Sequence, residues 1–222
     1  MDETPISPYA LHPHEYEIPV MGTAMRPTAG VLALPARVFP PLFVPTAAAL
    51  SVANRDALRE WGWTPLDHHD VPWPSSLALL PGGRLQALSF AGTGASLISL
   101  AAALPRGARS GLLATCGAGL VAAALPLDRP DGDPSELASW IRSWHGVVHA
   151  GGFVVSGAAG ILAVGASGQR QDVAVAGLLA AAAGGGRTPG WYLFVTGFFT
   201  WVSLLARRVT FAASAPENGL RS

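Results

Sequence analysis

The chain contains no lysine. All 14 of its basic side chains are arginine, and 14 acids balance them to a net charge of zero over 222 residues. Charged residues amount to 13%, against about 25% in an average soluble chain. With no basic run, nothing indicates a nucleic-acid partner. Arginine used to the exclusion of lysine reads as the codon bias of a GC-rich genome. There is one cysteine, Cys116, inside an apolar run. It can form no intramolecular disulfide and reads as a packing residue. The N-terminal stretch MDETPISPYALHPHEYEIPV is acidic and proline-rich, with no basic segment before an apolar core, and does not read as a cleavable signal peptide. Nucleophile triads, phosphate loops and dinucleotide fingerprints are all missing.

What the chain has instead is apolar length. Half of its residues are apolar and the mean hydropathy is +0.36. The stretches 85–104, 110–127 and 147–166 carry no charge at all. An Ala-rich soluble helical domain would place a charged side chain every few residues. The expectation is therefore an all-α, polytopic transmembrane helix bundle of about six spans: 34–53, 85–104, 110–127, 144–165, 173–186 and 190–206. Residues 1–30 read as a flexible tail, 31–208 as the membrane domain and 209–222 as a C-terminal tail. His12 and His14 in the first tail read as solvated side chains. The first span holds Pro35, Pro40, Pro41 and Pro45, which predicts a kinked or partly broken helix. The fifth, at some 14 residues, is only about 21 Å long and short for a bilayer.

Six spans place both termini on one side. Arginines near the spans divide almost evenly, but Arg106, Arg109, Arg207 and Arg208 lie at short turns or span ends, where charge bias orients a protein best. The expected location is a plasma membrane, multi-pass, with cytoplasmic termini and the two acidic loops outside. The lipid bilayer is the expected partner on this reading. Helix association is expected through small and hydroxyl residues: Gln86, Ser89, Thr93 and Ser96 in the second span, Gly111, Thr115 and Gly119 in the third, and Thr196, Thr200 and Ser203 in the sixth. The same faces could serve a homo- or hetero-oligomer.

The chemistry-bearing stretch is PLDRPDGDPSELASWIRSWHGVVH, from Pro126 to His149. His145 and His149 stand one helical turn apart, on the face that continues through Gly152, Ser156 and Ala159, so both imidazoles should point into the bundle near its outer mouth. The other outer loop offers Asp67, His68, His69 and Asp70. An H-x-x-x-H pair has metal-ligand spacing. With Asp128, or with one of the loop groups, it could complete a zinc-like divalent site able to activate water. The pair lacks the adjacent glutamate base of H-E-x-x-H enzymes. Against the metal site stands a hydrogen-bonded cluster that simply closes the bundle mouth. A small transporter is a further alternative, suggested by the broken first span but by no internal repeat.

Three motifs carry a resemblance: P-L-D-H-H-D with Ser75 and Ser76 after the first span, G-R-L-Q-A-L at the second, and L-P-L-D-R-P-D-G-D-P followed by W-H-G-V-V-H at the fourth. Together they resemble the family known as domain of unknown function 998, over residues 31–208. That likeness implies a small prokaryotic membrane protein of about six spans and no assigned activity. The chain departs from the pattern in its proline-laden first span, the acidic insertion 131–142 and the short fifth span.

Overall fold

The computed structural model describes residues 27–62, 73–130, 137–184 and 188–214. They form helices α1 (Pro27–Ala33), α2 (Pro35–Ala53), α3 (Arg55–Glu60), α4 (Pro74–Leu77), α5 (Arg84–Ala103), α6 (Ala108–Ala122), α7 (Trp144–Gly165), α8 (Arg170–Gly184) and α9 (Thr188–Ser214), with a 3-10 turn at Leu137–Trp140. Among the described residues there is no strand.

Among the described residues, four stretches are long and apolar enough to cross a membrane: Thr28–Ala53, Arg84–Ala103, Trp144–Gly165 and Pro189–Ser214. Helix α6 is apolar but only 15 residues long, and α8 is also 15 residues, each about 22 Å against a hydrocarbon core of about 30 Å. The expected first tail yields its last four residues to α1, and α9 runs eight residues beyond the expected end of the sixth span, through Arg207 and Arg208.

Proline shapes the first traverse. Pro35 has no N–H to give the Val31 carbonyl, which takes the Leu34 amide instead at 3.2 Å, and the helix breaks there into α1 and α2. Pro40, Pro41 and Pro45 stay inside α2 without breaking it. The carbonyls of Ala36, Arg37 and Pro41 consequently cannot receive the usual amide from four residues on.

The helices alternate in direction. Gly30 of α1 lies against Ala213 of α9, so both ends of the described chain share one face. The turns after α5 and α7 share it too: Arg109 at the start of α6 meets Asp172 of α8 at 3.6 Å, and its guanidinium lies 5.9 Å from the Trp201 ring centroid. At the opposite end, α3, α4, the 3-10 turn and the start of α7 form the mouth.

Backbone contact at glycine holds the middle together. A methyl group built on Gly94 of α5 would come within 2.5 Å of the Gly117 oxygen of α6, and one on Gly119 within 2.5 Å of the Gly152 oxygen of α7. Helix α6 therefore uses two faces, one for each neighbour. Gly111 and Thr115, expected on the same packing face as Gly119, are exposed instead, because α6 is sandwiched and its third side looks outward. Thr196 and Thr200 of α9 are exposed as well, while Ser203 is buried. In α5, Gln86, Thr93 and Ser96 are buried as expected and Ser89 is half-buried.

The core is aromatic. Phe43 meets Phe90 edge-on at 4.9 Å and Phe199 at 5.3 Å, while Phe153 stacks on Trp191 at 4.9 Å. A smaller cluster of Ala47, Leu50, Leu58, Leu77 and Leu80 seals the mouth side, where Asn54 donates to the Leu50 and Pro81 carbonyls at 2.9 and 3.1 Å. Outward, the spans present Val38, Leu88, Val154, Leu162, Leu178 and Leu193 to the surroundings. An apolar girdle of that extent on a bundle surface matches a lipid rather than a water environment.

Candidate functional site

The mouth is built from the way α7 begins. Ser143 is its N-cap, with an extended backbone (φ −97°, ψ 164°), and its Oγ accepts the Gly146 amide at 3.2 Å. Asp128 completes the start. Its Oδ2 accepts the amides of Arg142 and Ser143, both at 2.7 Å, and its own amide donates to the Trp140 carbonyl at 3.1 Å. Gly146 is what leaves room for this carboxylate: a Cβ there would stand 2.9 Å from Oδ2. The Ser143 amide is the main reason the Asp128 carboxyl titrates below its ordinary value, with smaller help from the Ser143 hydroxyl, the Arg142 amide and His145, against some desolvation.

A folded-state value below the unfolded one means stability that is present above the unfolded value and lost as pH falls through the folded one. Asp128→Ala should therefore lower the thermal midpoint in detergent at neutral pH. The gap to wild type should close as pH drops below about 4. A midpoint difference that is flat across that range would refute the capping role.

The two histidines diverge from this point. His145 places Nδ1 2.9 Å from the Pro126 carbonyl and 2.9 Å from the Ser143 hydroxyl, and its Nε2 faces Asp128 Oδ1 at 3.8 Å. His149 is 2% exposed, with Nδ1 2.7 Å from the Leu125 carbonyl and Nε2 2.7 Å from Ser75 Oγ. A carbonyl can only accept, so Nδ1 carries the proton and donates, and Nε2 accepts the Ser75 hydroxyl. The ring is packed against Phe90 (5.9 Å, edge-on) and Phe153 (6.3 Å, nearly parallel). The carbonyls of Leu125 and Pro126 are available because α6 ends at Ala122, five residues before the expected end of the third span.

His149 thus lies inside the bundle as its helical register requires, yet it does not share a ligand position with His145. Among the described residues no group of three His, Cys, Asp or Glu side chains gathers around one point. Asp128 faces His145, while both ring nitrogens of His149 are bonded to other protein groups. Asp67, His68, His69 and Asp70 lie outside the described residues, as do His12 and His14.

Two features of the site were not legible as such in the sequence. Ser75 is one: its hydroxyl ties α4 to α7 across 74 residues of chain. A serine against an imidazole whose other nitrogen is fixed is also the arrangement that activates a nucleophile. Here the neighbouring Ser76 amide is bonded to the Trp73 carbonyl at 3.0 Å and does not serve as an oxyanion donor. Gln86 is the other. It is fully buried, and among the described residues neither atom of its amide has a partner, nor does the buried hydroxyl of Thr93, two turns on. Trp61 of the α3 end meets Trp140 edge-on at 5.6 Å and closes the mouth laterally.

Comparison with protein-family models, with curated proteins and with solved structures gives no match to this chain.

Proposed function

We propose that the chain is an integral membrane protein that crosses a bacterial plasma membrane six times and acts through helix contacts, as a structural or accessory subunit. Four helices meet the length and apolarity of a span, and α6 and α8 fill the alternating positions between them. The described ends, together with Arg106, Arg109, Arg207 and Arg208, occupy one face. Charge bias makes that face cytoplasmic and puts the mouth outside. The exposed Gly111–Thr115 strip of α6 is the surface on which a second helix could approach closely. Kinship with domain of unknown function 998 fits this reading and rests on the sequence motifs.

The observation that carries the proposal is that the polar atoms of His149 and Asp128 at the mouth are used by protein partners. Both nitrogens of His149 and the Asp128 carboxylate are engaged in holding α4, α6 and α7 together. A metal-dependent hydrolase is the second reading. It needs a further ligand beside His145 and Asp128, and Asp67, His68, His69 and Asp70 are the groups that the sequence offers. Elemental analysis of detergent-purified protein separates the two. The structural reading expects no stoichiometric metal, and a destabilised but equally metal-free His145→Ala/His149→Ala variant. Near-stoichiometric zinc in the wild type, lost in that variant, would overturn it in favour of the hydrolase.

A further inference from the structure

Between α2 and α9 runs an open groove of about 310 Å³, at the lower end of the ~300–1,000 Å³ typical of small-molecule sites. One wall is Pro40, Pro41 and Val44. The other is α9, where Thr196, Thr200 and Ser203 look polar by sequence. Each of their hydroxyls, however, donates to the carbonyl four residues back, at 2.7, 2.7 and 2.8 Å. The groove is therefore greasy along its length, since its hydroxyls are already satisfied.

Its ends differ. Arg207, one turn beyond Ser203, lines the groove at the face shared by the chain ends, and it is exposed. On the facing helix at this same end, Arg37 is exposed, and its carbonyl lacks the usual amide because Pro41, which lines the groove, has no N–H to give it. An occupant that fits must bring an apolar chain, a negative charge for a guanidinium, and a hydrogen-bond donor for the Arg37 carbonyl. A peptide helix would bring its own satisfied backbone and no donors. A free anion would leave the apolar length unfilled.

We propose that this groove holds one anionic phospholipid with a hydroxylated headgroup, of the phosphatidylglycerol kind. Its acyl chain lies between α2 and α9, its phosphate rests on Arg207, and a headgroup hydroxyl donates to the Arg37 carbonyl. The lipid comes from the leaflet on the side of the chain ends. The site rests on the membrane reading given above.

The test uses full-length protein in detergent, titrated with phosphatidylglycerol, phosphatidylcholine or inorganic phosphate, and read by thermal midpoint and by native mass spectrometry of bound lipid. Wild type should bind phosphatidylglycerol about fivefold more tightly than phosphatidylcholine, the worth of one arginine near a membrane surface (~1 kcal/mol). Arg207→Ala should bring the ratio to about one. Arg208→Ala, whose side chain does not line the groove, should leave it unchanged, and Leu204→Trp, which fills the groove, should abolish retention of either lipid. Equal binding of the two lipids by wild type would overturn the proposal. So would equal losses in the Arg207 and Arg208 variants, or stabilisation by inorganic phosphate that matches the lipid's. Extraction from cell membranes by detergent but not by high salt checks the membrane reading on its own, so failure of one is not mistaken for failure of the other.

Discussion

Gly119→Leu leaves little or no folded protein to purify, while Gly111→Ala on the same helix behaves as wild type or slightly better. The difference lies in what a side chain would strike. At Gly119 a first carbon alone would stand 2.5 Å from the Gly152 oxygen, 2.9 Å from the Ser156 nitrogen and 3.0 Å from the Ser156 Cβ. Two of those are backbone atoms, which cannot rotate aside, so α6 and α7 have to separate. Separation opens a seam that is reciprocal: Gly152 would strike the Gly119 oxygen at the same distance. Even Gly119→Ala should cost about 2–3 kcal/mol, more than the ~1 kcal/mol that alanine gains as a helix former. At Gly111 a methyl meets nothing within 4 Å, so only the propensity gain remains. Reversible unfolding in mixed micelles measures both. A stable, well-folded Gly119→Leu protein would show that α6 and α7 do not touch as described.

His149→Ala is the second large effect. It strands the Leu125 carbonyl and the Ser75 hydroxyl and removes a ring held between Phe90 and Phe153. Hydrogen bonds between membrane helices contribute about 0.6 kcal/mol on average and up to about 1.7. Two of them plus the void left by the ring bring the loss to about 3 kcal/mol. Ser75→Ala alone should cost less, about 1 kcal/mol, because His149 keeps its bond to Leu125. The decisive quantity is the double-mutant cycle. Ser75→Ala and His149→Ala should be non-additive by more than about 0.5 kcal/mol, as for residues in direct contact. Strict additivity would mean that the 2.7 Å contact contributes nothing.

The all-helical architecture could be read from the sequence because charge-free runs leave few other options, and α7 was the plainest of the helices. Its run from Val147 on carries no charged residue, and Ser143 stands where an N-cap belongs. The inward turn of His149 followed from register alone. What register could not say is how many neighbours a helix has. Steps of four from Gly111 through Thr115 to Gly119 suggest one packing face, but α6 sits between two helices and needs Gly117 as well as Gly119. The hydroxyls of Thr196 and Thr200 suggest glue between helices, yet they are consumed by their own helix. The end of α6 was misplaced for a similar reason. Apolar residues continue to Leu127, but the carbonyls of Leu125 and Pro126 serve the histidines and not a helix. Partners 74 residues apart, such as Ser75 and His149, leave no local trace in composition or period.

The two short helices also have a mechanical consequence. Helices α6 and α8 are the neighbours of α7 on either side, whereas the longest stretches, Thr28–Ala53 and Pro189–Ser214, pack together elsewhere in the bundle. The apolar belt is therefore taller on one flank than on the other. On the six-span reading proposed above, surrounding lipid thins beside α6 and α8 and stretches beside α2 and α9, at a cost of fractions of a kcal/mol per ångström of mismatch. Such a wedge has a preferred place in a membrane of uneven thickness. It gives two copies a reason to meet thin flank to thin flank, because doing so removes deformed lipid even where no side chain attracts another.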